Sequence, residues 1–104
     1  MNLHHEQGDI LFVKLDAVPE KKETHKDGGI LAHGEVTGHT HALESLKDVD
    51  VFLDVNGRLI VHNKSDKAKK VVHQEHGPIS LEPGAWEVKY QNEYTPDGWR
   101  RVAD

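Results

Sequence analysis

Apolar residues in this chain come in short runs, and nearly every run is closed by a turn signal. Gly8 to Leu15 is almost continuously apolar from Ile10 to Val13, which predicts a strand covered on both faces. Val18-Pro19 ends it, and the charged stretch from Glu20 to Lys26 reads as a loop or solvated edge before a turn at Asp27-Gly28-Gly29. Ile30 to Ala32 starts a short strand. From Glu35 to Leu43 the side chains alternate, so that Glu35, Thr37, His39, His41 and Leu43 share one face and Val36, Gly38, Thr40 and Ala42 the other. Ser45 to Asp48 reads as a loop. Val51 to Val55, then Asn56-Gly57, then Arg58 to Val61 predict a hairpin, with Asn-Gly as a type I′ pair in which both central residues take positive φ. Lys70 to His73 is a further strand, and Gly77-Pro78 turns the chain. Ile79 and Leu81 alternate with Ser80 and Glu82. Pro83-Gly84 then leads into Ala85 to Tyr90 as a second hairpin, with Trp86, Val88 and Tyr90 on one face.

These elements predict an all-β fold, a small single-domain barrel or sandwich of about seven to eight short strands. At 104 residues the chain is one domain. Residues 1–7 read as a polar lead-in, with His4-His5 at a frayed terminus. Residues 91–104 form a polar tail whose Tyr94 and Trp99 are expected to dock on their own or a neighbouring chain. A thin core and an aromatic tail both gain from a partner, so a homo-oligomer is expected, with a dimer favoured.

Composition narrows the chemistry. There is no cysteine, so disulfides and thiolate sites are excluded and a metal would have to use imidazole, carboxylate or water. A net charge of −5 opposes a nucleic-acid footprint. No apolar run approaches the ~20 residues needed to span a membrane as a helix. The N-terminus lacks the basic and apolar regions of a signal peptide, so a cytoplasmic location is expected. Nine histidines are the compositional oddity.

Those histidines cluster. In Gly38-His39-Thr40-His41 two stand two apart on one face of a strand, and imidazoles so placed can converge on one ion, with metal–nitrogen bonds of about 2.0–2.1 Å for zinc. His73-Gln74-Glu75-His76 supplies a second pair, close enough together if the strand ends near Gln74 and the chain turns at Gly77-Pro78. The stretch between the pairs has room for one hairpin. The sequence therefore proposes His39, His41, His73 and His76 as metal ligands, with Glu44 or Glu75 as a further ligand or orienting partner. Zinc is the leading metal, with nickel, iron or copper as alternatives. Read instead as ordinary polar side chains, the same histidines would bind nothing.

Gly38-His39-Thr40-His41-Ala42-Leu43-Glu44 resembles the cupin pattern of His-x-His followed by glutamate. Cupins space that glutamate by three or four residues where only Ala42 and Leu43 intervene here, and Pro83-Gly84 is followed by Trp86 rather than by the second motif's histidine. Gln7-Gly8-Asp9-Ile10-Leu11, Gly34-Glu35-Val36-Thr37-Gly38-His39-Thr40-His41, Glu75-His76-Gly77-Pro78-Ile79, Pro83-Gly84 and the ending from Gln91 to Asp104 resemble a family of small uncharacterised bacterial proteins, which implies a natural domain and no particular activity. Gly28-Gly29-Ile30-Leu31 and Gly34-Glu35-Val36 also bear a likeness to the GroES-type barrel, which implies an oligomeric module.

Three functions follow in order of expectation. The first is a small cytoplasmic protein that binds a divalent transition metal through its histidine cluster. The second is a metalloenzyme at the same site, cupin-like or hydrolytic, with Glu44 or Glu75 as general base. The third is a metal-free oligomeric interaction module. Covalent catalysis is disfavoured, because there is neither a cysteine nor a serine elbow motif.

Overall fold

The alternation of the sequence is expressed as strand burial. The computed structural model describes residues 3–33, 39–90, 92–95 and 98–101, and among these every regular element is a β-strand. In chain order they are β1 His4–Gln7, β2 Ile10–Lys14, β3 Lys21–Thr24, β4 Ile30–His33, β5 Thr40–Leu43, β6 Val49–Asp54, β7 Leu59–Asn63, β8 Lys69–Val72, β9 Ile79–Leu81, β10 Gly84–Tyr90, β11 Asn92–Thr95 and β12 Gly98–Arg101. A six-stranded sheet runs β1-β2-β10-β7-β6-β3 and a four-stranded sheet runs β4-β5-β8-β9, while β11 and β12 pair with each other. Every paired neighbour is antiparallel.

The two sheets face each other across the core, as a sandwich rather than a closed barrel. Ile10, Phe12, Val51, Val61, Trp86 and Val88 of the large sheet meet Leu31, Ala32, Leu43, Val71 and Leu81 of the small one. Trp86, Phe12 and Ile10 are fully buried, and each such side chain contributes about 1.5–3 kcal/mol of transfer free energy. The Trp86 indole N–H donates to the Glu82 carbonyl at 2.9 Å, so its polar end is satisfied. The outer face of the large sheet is not bare. Phe52, Ile60 and Ala85 are buried there and pack with Leu15.

Three local expectations are revised and one is met. Residues 4–7, read as part of a polar lead-in, form β1, because their pairing with β2 brings His5 beside Trp86, ring centroids 5.2 Å apart, and its Nε2 to 2.8 Å from Glu82 Oε1. The charged stretch after Pro19 holds β3, a fully exposed edge strand. This matches the solvated edge expected there, and its charges protect an open edge from pairing with other chains. Pro83-Gly84 does not close a hairpin. β9 pairs with β8 in the small sheet and β10 pairs with β2 and β7 in the large one, so the chain changes sheets at this point. The docking expected of the Tyr94 and Trp99 side chains lies outside the described residues.

The third revision concerns the turn at Asn56-Gly57. Gly57 has φ of 80°, but Asp48 alone among the described non-glycine residues has positive φ, so Asn56 does not and the turn is not type I′. The Gly57 N–H donates to the Asp54 carbonyl at 3.0 Å, and the Asp54 N–H donates to the Arg58 carbonyl at 3.0 Å. This is a three-residue loop, a type I turn closed by a left-handed glycine. Asp54 selects it. Its fully buried carboxylate accepts the Asn56 N–H at 2.9 Å, the Arg58 N–H at 2.8 Å and the Arg58 Nε at 2.7 Å. Burial alone would push this carboxyl up, but the donated N–H groups and the Arg58 guanidinium outweigh it and hold the group below its ordinary value.

Candidate functional site

β1 and β2 are joined by a two-residue turn, since Gln7 pairs with Ile10. Gly8 takes φ of 59° and Asp9 does not take positive φ, which is the pattern of a type II′ turn with glycine in its first central position. The turn carries Gln7 and Asp9 to the end of the small sheet where the histidines collect.

His41 is the centre of that collection. It lies on β5 with its side chain facing inward, and it is fully buried. Its Nδ1 is 2.9 Å from Gln7 Oε1. The Gln7 amide is itself buried, and its Nε2 donates to the Val71 and Gly77 carbonyls, each at 3.0 Å. Two carbonyl acceptors fix which end of the amide is nitrogen, so its oxygen faces His41 and His41 Nδ1 must be the donor. The His41 Nε2 lies 3.4 Å from Asp9 Oδ1, a carboxylate whose side chain is only 10% exposed.

His73 and His76 pack against this ring, and His39 packs against His73. The His73 ring centroid is 4.4 Å from that of His41, His76 is 6.4 Å from His41 with nearly parallel planes, and His73 is 4.6 Å from His76. His39 meets His73 edge-on at 5.5 Å, and its Nδ1 is 3.6 Å from Glu75 Oε1. The chain brings these residues together as the spacing anticipated. β5 pairs with β8 through Ala42 and Val72, which places His73 beside His41, and the hairpin of β6 and β7 occupies the interval between the two histidine pairs. His73 Nδ1 then accepts the N–H groups of Glu75 and His76 at 3.0 and 3.2 Å, folding His76 back toward the cluster.

Glu44 is not brought in. It is exposed just past the end of β5, with its backbone N–H on the Lys70 carbonyl. Three residues of extended chain put it about 10 Å along the strand from His41. Glu75 reaches His39 with its carboxylate 58% exposed. Gln7 and Asp9 are the participants that sequence reasoning passed over. The signal was a glutamine and an aspartate either side of a glycine, directly before an apolar strand, but their burial depends on a turn that places them against a distant segment.

The arrangement is a partly prepared set of donors. Among the described residues no group of three or more His, Asp or Glu side chains already stands as a metal-ion cage. Neutral His73 accepts at Nδ1, so it carries its proton on Nε2 and has to give up its turn hydrogen bonds or that proton before it can ligate. His41 is different, because its Nδ1 donates to Gln7, and in the neutral ring that is the tautomer a metal-binding histidine uses. Beside His73, on the outer face of the small sheet, lies a shallow open depression of about 210 Å³ lined by Thr40, Ala42, Val72, His73 and Gln74. It is smaller than the roughly 300–1,000 Å³ of ordinary ligand pockets. Of the other histidines, His25 meets the Ile30 carbonyl at 2.7 Å and His33 lies 3.5 Å from Asp27.

A model of a domain of unknown function, DUF8820, matches residues 6–91. The chain belongs to this family. The DUF8820 match runs from the middle of β1 to just past the end of β10, so it takes in both faces of the core, Gln7, Asp9 and all four clustered histidines. No curated protein and no solved structure matches the chain. No helix among the described residues is long and apolar enough to cross a membrane.

Proposed function

We propose that this DUF8820 domain is a small cytoplasmic protein that binds a divalent transition metal through His39, His41, His73 and His76. The observation that carries the reading is the orientation of His41. A buried glutamine, locked by two backbone carbonyls, holds one ring nitrogen of His41 as donor, and the ring so fixed packs against those of His73 and His76. Orienting partners of this kind fix the tautomer and direction of metal-bound histidines. With imidazole donors and no thiolate, zinc suits the set best, and nickel, iron or copper are the alternatives. Binding would supplement a core of modest size, because the binding free energy adds to folding stability. A homodimer belongs to the same proposal.

The test is thermal unfolding of untagged protein with Zn²⁺ and with a chelator. Zn²⁺ should raise Tm and the chelator should lower it, and His76→Ala should weaken the response while folding normally. An identical Tm under both conditions would contradict the proposal. As a catalyst the site has weaker support, since Glu44 stands away from the histidines and the depression beside His73 is small and open.

A second reading is favoured by the same bonds. Gln7 joins β1 to the Val71 carbonyl of β8 and to Gly77, and His41 of β5 joins Gln7. On this reading the buried pair is a polar tie between the two sheets, and the outer histidines are surface residues that bind nothing. Its outcome in the same test is an unchanged Tm, with His41→Ala still strongly destabilising.

A further inference from the structure

Asn56 stands apart from the other asparagines of the chain, Asn2, Asn63 and Asn92, because it alone is followed by glycine. Asn63 is buried, and its amide donates to the Lys67 and Leu81 carbonyls at 2.7 and 3.0 Å. Asn56 is exposed at the tip of the β6–β7 hairpin. Gly57 has no Cβ to crowd its own nitrogen, and a Cβ there would meet nothing within 4 Å, so the space beside it is open. The nitrogen itself is engaged. The Gly57 N–H donates to the Asp54 carbonyl at 3.0 Å, while Asp54 Oδ1 accepts the Asn56 N–H at 2.9 Å and the Arg58 N–H at 2.8 Å. These bonds pin the backbone on both sides of the peptide between Asn56 and Gly57.

We infer that Asn56 is a deamidation site whose nucleophile, the Gly57 backbone nitrogen, is withheld by Asp54 while the turn is closed. The inference is independent of metal binding. In the reaction the Gly57 nitrogen gives up its proton to hydroxide and attacks Asn56 Cγ. A nitrogen–carbon bond forms to Cγ, the bond from Cγ to the amide nitrogen breaks, and ammonia leaves. Water then adds to one carbonyl of the cyclic imide and opens it to aspartate or isoaspartate. The attack requires the peptide to rotate, and the rotation breaks the Gly57 bond to the Asp54 carbonyl and pulls against both bonds to Oδ1. The reactive form is therefore the locally opened turn, whose population is set by the bonds that close it. The product does not close the turn again unchanged. Isoaspartate lengthens the backbone between paired Leu53 and Leu59, and either product brings a new negative charge near the buried Asp54 carboxylate. The site thus records, by a covalent change, how often this hairpin has opened.

The experiment incubates untagged protein at mildly alkaline pH and follows Asn56 by peptide mapping, with isoaspartate counted by enzymatic methylation. Folded wild type should convert slowly and guanidinium-unfolded wild type much faster. Asp54→Ala, still folded, should convert about tenfold faster than folded wild type or more, the factor that losing one buried acceptor brings to an opening equilibrium. It should also outpace Val61→Ala, which lowers global stability and leaves the turn intact. Should Asp54→Ala not fold, Asp54→Asn, which keeps one acceptor oxygen, makes the same comparison with a smaller expected gain. Conversion as fast in the folded as in the unfolded chain would overturn the gate. So would an Asp54 variant no faster than Val61→Ala. Failure of Asn56 to convert even when unfolded would overturn the site itself.

Discussion

Gln7 Oε1 stands 2.9 Å from His41 Nδ1, and the amide cannot be reversed without placing its oxygen against the Val71 and Gly77 carbonyls. This one side chain therefore decides the tautomer of a fully buried histidine. Replacing it has two separable effects. Gln7→Ala leaves the buried Val71 carbonyl and the His41 Nδ1–H without this partner, at a cost of about 1–3 kcal/mol for such a group. It also frees His41 to turn. Chemical denaturation should show the loss of stability. A metal titration should show weaker binding than a variant equally destabilised in the core, such as Val61→Ala. Equal affinity in Gln7→Ala and wild type would remove the orienting role.

Asp54 predicts an acid limb. Its carboxyl is held below its ordinary value in the folded state, so the stability it contributes is fully present above the unfolded value of about 3.8–3.9 and is lost as pH falls through the lower, folded one. Asp54→Asn should lower Tm at neutral pH and flatten the decline of Tm with acid in this range. A parallel decline in variant and wild type would show that other carboxylates govern acid unfolding.

Two glycines separate strain from space. At Gly57, φ is 80° and a Cβ would meet nothing within 4 Å, so Gly57→Ala should cost only the backbone penalty, about 1–2 kcal/mol. At Gly84, φ is 121° and a Cβ would come within 2.6 Å of Lys14 Nζ. Here alanine should be the more destabilising of the two, by urea unfolding, because the conformation is less accessible and Lys14 must move. In Gly84→Ala/Lys14→Ala the close approach is gone, and only the strain part should remain. A Gly84→Ala penalty no larger than that of Gly57→Ala would sink the distinction.

The sequence made the all-β class legible because its apolar runs are short, and the inward residues of β5, β6, β7 and β10 follow the alternation directly. It also placed His73 beside His41, since a single hairpin fits between the two pairs. Three features were hidden for physical reasons. β1 is polar and is a strand only because β2 offers it a partner. Pro83-Gly84 looks like a hairpin turn locally, whereas its strands belong to different sheets, a choice made by long-range packing of Leu81 and Trp86. Asp54 overrides the local preference of Asn56-Gly57 through side-chain acceptors that no dipeptide rule contains. Gln7 and Asp9 were missed in the same way, because polar residues at a turn look solvated until the opposing sheet is in place.

The central claim is that these histidines hold a metal, and elemental mass spectrometry of untagged protein tests it most directly. The account predicts close to one zinc, nickel, iron or copper per chain, carried through size exclusion and lost in His39→Ala/His41→Ala. His76→Ala, which does not disturb the buried pair, should show a reduced content while keeping the wild-type circular dichroism spectrum. Protein that carries no metal, and takes up none when titrated, would contradict the account. The Gln7–His41 pair would then be a polar tie between two sheets.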